Sequence, residues 1–245
     1  MPALFRRRQV WLPTLWGVLL LGLLLGAGIV ALAFGANSLL APNQPARGSD
    51  GAGAKLLVVE GWLNEAELDQ AVAAFRHGRY ERVVTTGGPI ESWEAGRPWK
   101  HYAERAAAYL NDHGLAGVPV VAVPAPASAQ DRTFLSAVMV REWAQRAGVK
   151  LDAIDLFSAG VHARRSRLLY RMALGEPVQV GVFAAWPTDF DPERWWTSSQ
   201  GAKLVMGETI SLIWTHCCFW PGAPGSHEER WAVPAASATP EGVHP

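Results

Sequence analysis

The sequence predicts an α/β protein, with a mostly parallel sheet covered by helices on both faces, behind a single transmembrane helix. Three observations carry this. Residues 15–36 hold only apolar residues and glycine, short β-rich runs alternate with helical patterns from residue 55 to about 214, and those β-rich runs are nearly all apolar. A strand buried on one face alternates polar and apolar residues, whereas near-continuous apolar strands separated by helices indicate a parallel sheet buried on both faces.

The N-terminal segment comes first. Arg6, Arg7 and Arg8 precede a stretch with no charged residue between residues 10 and 46. The 22 apolar residues of 15–36, at about 1.5 Å each, match the thickness of a bilayer's hydrocarbon layer. The arginine triplet marks residues 1–14 as a basic cytoplasmic end and places the rest on the other side, a bias that Arg47 and Lys55 reduce without cancelling. The rival is a cleaved signal peptide, since Ala31-Leu32-Ala33 and Ala33-Phe34-Gly35-Ala36 offer small residues at suitable spacing. Its apolar region would exceed the usual 7 to 15 residues or so. Either alternative puts the main domain outside the cytoplasm, and the retained anchor implies an inner-membrane protein with a periplasmic or otherwise extracytoplasmic domain.

Residues 37–54, rich in Gly, Pro and Ala, read as a flexible stalk, and residues 221–245 as an unfolded tail of similar composition. The domain between them spans 55–220. Strands are expected at 55–60, 82–86, 119–123, 153–158 and 178–183, and helices at 65–76, 99–111, 131–147, 163–173 and 202–214. Asn64 with Glu67, and Ser128 with Asp131, have the spacing of capping boxes. The apolar stretch 202–220 is interrupted by Lys203, Glu208 and His216, which favours a buried or surface-resting helix over a second span.

The totals exclude several classes. Lys and Arg number 22 and Asp and Glu also 22, so nothing favours nucleic acid. Cys217 and Cys218 are adjacent, a spacing that seldom forms a bridge, and read as buried apolar filler with no metal-ligand pattern around them. The 12 tryptophans suit a core, an apolar ligand site or a membrane interface equally.

An open α/β sheet binds ligands beyond the carboxyl ends of its strands. That rule selects the loops at 60–62, 85–89, 128–133 and 158–166. Gly87 and Gly88 permit either a plain tight turn or close approach of a ligand to backbone N–H groups. No G-x-G-x-x-G follows the first strand and no Lys-Ser/Thr phosphate loop exists, which removes the conventional dinucleotide and Walker-type sites. Arg164, Arg165 and Arg167 occupy the opening turns of a helix, where the dipole disfavours cations. A solvated face, internal ion pairs or a bound anion must compensate them. His162, Arg165 and Ser166 share a helix face. Arg132 and Thr133 start a neighbouring helix, where they either serve the same anion or brace the helix. Glu60 and Glu104 are acid candidates, or else orient an arginine or His162. With His162 they would share acid/base work on a bound phosphoryl group. No G-x-S-x-G elbow supports acyl transfer.

The order of Val-Val-Glu60-Gly-Trp62, Thr86-Gly-Gly88, Tyr102-Ala-Glu104, Asp131-Arg-Thr133 and His162-Ala-Arg-Arg-Ser166 resembles the YdcF/SanA/ElyC-like family of membrane-anchored envelope proteins, over about residues 55–215. The resemblance implies a Rossmann-like fold, a single membrane tether and a link to peptidoglycan-precursor or lipid-carrier metabolism. By position it implies roles for Gly87, Gly88, Glu104, Thr133, His162 and Arg165. Many relatives have a glycine-rich end to the first strand where this chain has Glu60-Gly61-Trp62, and an Asn-containing segment where it has Asp131-Arg132-Thr133. The expected ligand is a phosphorylated small molecule or lipid-linked intermediate; no cofactor is named. Three functions stay open: an envelope protein acting on such an intermediate, a non-catalytic anion-sensing or scaffolding domain, and a nucleotide or methyl-donor binder. The tryptophan-rich stretch 186–196 is read as a packed crossover, with a lid or membrane-facing ledge as the alternative.

Overall fold

The computed structural model describes residues 12–48, 51–90 and 98–230. Arg6, Arg7 and Arg8, which carry the topology expectation, and residues 231–245 of the expected tail lie outside the described residues.

Helix α1 (Leu15–Leu40) begins at Thr14, whose hydroxyl accepts the Gly17 N–H at 3.2 Å. It is 26 residues long with a mean hydropathy of 2.6 in its most apolar window, long and apolar enough to span a membrane. The helix continues four residues beyond the expected end at Ala36. That extension has a physical cause, because Ala36 and Leu40 are buried in a cluster with Val161, Trp195, Val205 and Leu212 of the domain.

Five parallel strands form one sheet in the order β3-β2-β1-β4-β5: β1 (Leu56–Glu60), β2 (Arg82–Gly87), β3 (Val120–Pro124), β4 (Ala153–Ala159) and β5 (Gln179–Ala185). The helices are α2 (Glu65–His77), α3 (Tyr102–Asp112), α4 (Arg132–Arg146), α5 (Ala163–Leu174) and α6 (Ser199–Cys218). The all-apolar strands have the predicted origin. Leu56 and Val58 pack with Phe134 and Val138 of α4 and Leu169 and Tyr170 of α5. Their neighbours Leu57 and Val59 point the other way, against Leu68 of α2 and Ala106 and Leu110 of α3.

Asn64 and Glu67 form the expected reciprocal cap of α2, at 2.9 and 3.0 Å. The Ser128–Asp131 box does not form. The Ser128 hydroxyl is engaged with Gln130, and Asp131 adopts a left-handed backbone (φ 52°) whose carboxylate lies 3.0 Å from Arg230 instead of on the helix. The first turn of α4 therefore has no side-chain cap.

Three further expectations need correction. The stalk is held where it meets the sheet: Gln44 pairs with Val182 on the free edge of β5, Asn43 accepts the Ala184 N–H, and the Ala46 N–H donates to Asp155. An exposed parallel edge is open to such pairing, and the composition of a segment does not reveal it. The expected tail is folded as far as Arg230, since Glu229 is buried in a two-pronged ion pair with Arg141 of α4, both contacts at 2.7 Å. Cys217 and Cys218 are bridged to one another and exposed at the end of α6, so they are not core filler.

The tryptophan-rich stretch packs onto α1. Its 3-10 turn (Pro192–Thr197) buries Trp195, whose indole N–H donates to the Ala33 carbonyl at 2.8 Å, while Trp196 meets Phe34 edge-on. The crossover thus grips α1.

Candidate functional site

The chain leaves the central strand β1 toward β2 and β3, then returns to β4 and β5 on its other side. Strand order reverses beside β1, and loops diverge there at the carboxyl ends, leaving a crevice. A cleft of about 870 Å³ occupies that place.

Glu60, the last residue of β1, forms its floor and is 3% exposed. Its two oxygens accept hydrogen bonds from Ser158 at 2.7 Å and Ser166 at 2.8 Å. These two serines hold the carboxyl in place and face it from β4 and α5. The hydroxyls of Thr86 and Tyr170 are buried nearby, without a well-formed hydrogen bond. Burial, then the charge of Glu60, push the Tyr170 phenol well above its ordinary range, against the smaller opposing influence of the Thr86 hydroxyl.

One wall joins three elements. His162 stands at the start of α5, and its Nδ1 lies 3.0 Å from Oε1 of Glu208 on α6. On the other side, its Nε2 lies 3.4 Å from the Thr133 hydroxyl on α4. Arg165 grips both oxygens of Glu208, at 2.8 and 3.0 Å. Its Nη2 also lies 3.0 Å from His162 Nδ1, but a guanidinium only donates and a carboxylate only accepts. The pair is consistent if Nδ1 carries the proton and donates to Glu208, since a bare Nδ1 would face the carboxylate lone pair to lone pair. The proton is assigned on that ground. Nε2 is then free to accept from Thr133. Burial alone would raise the Glu208 carboxyl, yet hydrogen bonds from His162 and Arg165, with their charge, bring it down to about 2.

The rim is made by Trp62, Gly87, Gly88 and Arg132. Trp62 meets the His162 ring edge-on with centroids 5.4 Å apart. Arg105 fixes the loop bearing Trp62 by donating to the Gly61 carbonyl at 2.8 Å. Gly61 and Gly87 are demanded by packing: a Cβ on Gly61 would meet the Tyr102 carbonyl oxygen at 2.4 Å, and Gly87 has φ +152° with Tyr102 Cβ 2.9 Å from where its own would be. Gly88 has more space, its nearest neighbour being 3.9 Å from a built Cβ.

Of the expected site residues, Glu60, Gly87, Gly88, Arg132, Thr133, His162 and Arg165 line the one cleft. Ser166 lies beneath it against Glu60. Glu104 is elsewhere: its carboxylate accepts the Lys100 and His101 N–H groups at 2.8 and 3.1 Å and holds the start of α3. Those bonds, the Lys100 one first, outweigh its slight desolvation and lower its carboxyl from the ordinary range. Arg164 points to the Leu39 carbonyl at the end of α1. Arg167 donates to the Val180 carbonyl and to Gln44, both at 2.7 Å.

The compensation required by the arginines of α5 is therefore internal: Glu208 takes Arg165, and carbonyls take the other two. This removes them as evidence for a bound anion. Across the cleft the N-terminus of α4 has no side-chain cap, and Arg132 there is exposed and has no ion-pair partner among the described residues. The buried Thr86 hydroxyl, 1% exposed, also lines this cleft beside the Tyr170 phenol. Glu208 was visible in the sequence only as a charge interrupting an apolar stretch; such a carboxylate needs a partner, which is the signal that marks it. Among the described residues no group of three or more His, Cys, Asp or Glu side chains could hold a metal ion.

No protein-family model, no curated protein and no solved structure matches the chain.

Proposed function

We propose that this chain is a membrane-anchored, extracytoplasmic protein of cell-envelope biogenesis or maintenance that acts on a phosphorylated or polyprenyl-phosphate-linked intermediate. The observation that carries this reading is the Thr133–His162–Glu208 chain of contacts, 3.4 and 3.0 Å, beside the uncapped first turn of α4. The resemblance of the domain's motifs to the YdcF/SanA/ElyC-like family points the same way.

The chemistry follows from the placement. A phosphate held at the first turn of α4 meets its free N–H groups and the Arg132 guanidinium, both suited to anionic oxygens. Glu208, ionised and half-buried, keeps the His162 ring oriented with Nε2 toward Thr133. A water bound beside Thr133 gives its proton to Nε2 while its oxygen bonds to phosphorus. The bridging P–O bond breaks, and the leaving phosphate oxygen takes the electron pair. The same geometry serves a non-catalytic anion-binding domain if no water reaches that point.

The test uses the full chain in detergent micelles with a polyprenyl diphosphate, following release of inorganic phosphate and, separately, binding. General-base work is worth about 10²- to 10⁴-fold, so His162→Ala should lower the release rate by at least about a hundredfold and retain binding. Binding without release by the unaltered chain leaves the anion-binding domain as the answer. If neither occurs with polyprenyl or soluble diphosphates, the reading fails.

A further inference from the structure

Helix α6 has two faces. Val205, Leu212 and Thr215 are buried and Glu208 enters the cleft, whereas Lys203, Met206, Gly207, Ile210, Ile213, Trp214 and Cys217 face outward. Those outward positions recur at three- and four-residue spacing, one continuous stripe on a 3.6-residue helix. It is apolar apart from Lys203 at one end, and Ile210 is 66% exposed. A stripe of this kind with no partner among the described residues marks an interaction surface.

We infer that this outer face of α6 rests in the interfacial layer of the bilayer that holds α1, as a second membrane contact. Three facts select lipid as the occupant. Ala33, Ala36 and Leu40 of α1 share one apolar cluster with Val205 and Leu212 on the inner face of α6, so α6 lies beside the end of α1 with its stripe turned outward. From Leu15, about 20 residues at about 1.5 Å each cross the hydrocarbon layer and end near Phe34; the membrane surface then falls where Trp195 and Trp196 grip the helix. Exposed indoles flank the stripe, Trp214 within it and Trp220 just beyond, as suits a water–lipid boundary. Lys203 can reach the headgroups with its stem along the apolar surface.

The consequence for the site rests on the proposed function. Trp214 is 47% exposed on the stripe and also lines the cleft. It is the threshold between the two: a lipid-linked phosphate would enter the cleft past Trp214 with its hydrocarbon chain still in the bilayer.

The experiment places an environment-sensitive fluorophore on single cysteines at positions 210, 213 and 150 of the full chain, in a Cys217→Ala/Cys218→Ala background. The chain is reconstituted in phosphatidylcholine–phosphatidylglycerol vesicles. Labels at 210 and 213 should be blue-shifted, shielded from aqueous iodide, and quenched by lipids carrying nitroxides near the headgroup. The label at 150, where Lys150 is 84% exposed, should be open to iodide. Equal iodide access at all three overturns the inference. So does shielding that disappears on dilution into excess lipid, which would identify a second copy of the chain. In the activity arm, Ile210→Asp should slow turnover of the long-chain diphosphate by about tenfold and leave a water-soluble diphosphate ester unaffected. Equal effects on both overturn the entry route. If the unaltered chain turns over neither substrate, the proposed reaction has failed, and lipid quenching alone decides the membrane contact.

Discussion

Nδ1 of His162, at the N-cap of α5, lies 3.0 Å from Oε1 of Glu208 on α6, and Arg165 grips both oxygens of the same carboxylate. This contact joins the cleft to the helix that packs beside α1, and it makes Glu208 the charge on which the site's geometry depends.

Its first consequence is acid sensitivity. The Glu208 carboxyl is lowered from 4.5 to about 2 in the folded chain. A depressed carboxyl contributes stability that is complete above its unfolded value near 4.5 and is lost as pH falls through 4.5 toward 2. The contribution is of order 3 kcal/mol. Denaturant midpoints of the detergent-solubilised chain, taken stepwise across that window, should fall with acid, and Glu208→Gln should flatten the slope. An unchanged slope in the variant removes this role. At neutral pH the same variant leaves Arg165 without its charge partner and should be destabilised by about 2–4 kcal/mol.

Arg141 and Glu229 make a second prediction. Both are buried and doubly hydrogen-bonded at 2.7 Å, and the Arg141 Nη1 also donates to the Ala173 carbonyl. Removing either partner strands a buried charge, so Arg141→Ala or Glu229→Ala should cost about 3–5 kcal/mol. The double variant Arg141→Met/Glu229→Leu should recover most of that loss. Thermal unfolding of the three variants checks it, and additive losses would refute the pairing.

Trp195 tests whether α1 is part of the domain. Trp195→Ala opens a cavity beside Ala36 and Leu40 and should cost about 3–5 kcal/mol; Trp195→Phe loses mainly the bond to Ala33 and should cost about 1 kcal/mol. Protease cutting between residues 41 and 54 should accelerate in the first variant much more than in the second. Cleavage after Ala33 or Ala36 during export would remove this packing, so the N-terminus of the mature chain, read by mass spectrometry, should precede Leu15.

Gly61→Ala provides a test at the cleft. The added methyl would stand 2.4 Å from the Tyr102 carbonyl oxygen and 2.8 Å from that of Thr86, both backbone atoms that cannot swing aside. Loss of at least about 2 kcal/mol is expected, with weaker ligand binding from a displaced Trp62. Gly88→Ala, with space around it, is the matched control and should be near neutral in stability.

Much of the architecture was legible because it is written locally. The apolar run of α1 and the unbroken apolar strands each declare themselves within a few residues, and Asn64 with Glu67 encodes its own cap. The strand-end loops also led to most of the cleft's lining, since chain reversal beside β1 dictates where a crevice opens. Partners proved harder to read. Glu104 has the chemistry of a site acid but serves α3, and the segment around Gln44 has the composition of a linker but lies along β5. The same residue types suit both roles.

What each segment becomes, helix or strand, was set by periodicity and apolar length within that segment. Which charge meets which was settled only by folding: Glu208 reaches Arg165 from 43 positions away, and Glu229 reaches Arg141 from 88. The physical reason is that local conformational preference depends on neighbouring residues, whereas an ion pair depends on the register and packing of whole elements, which no single stretch of chain contains.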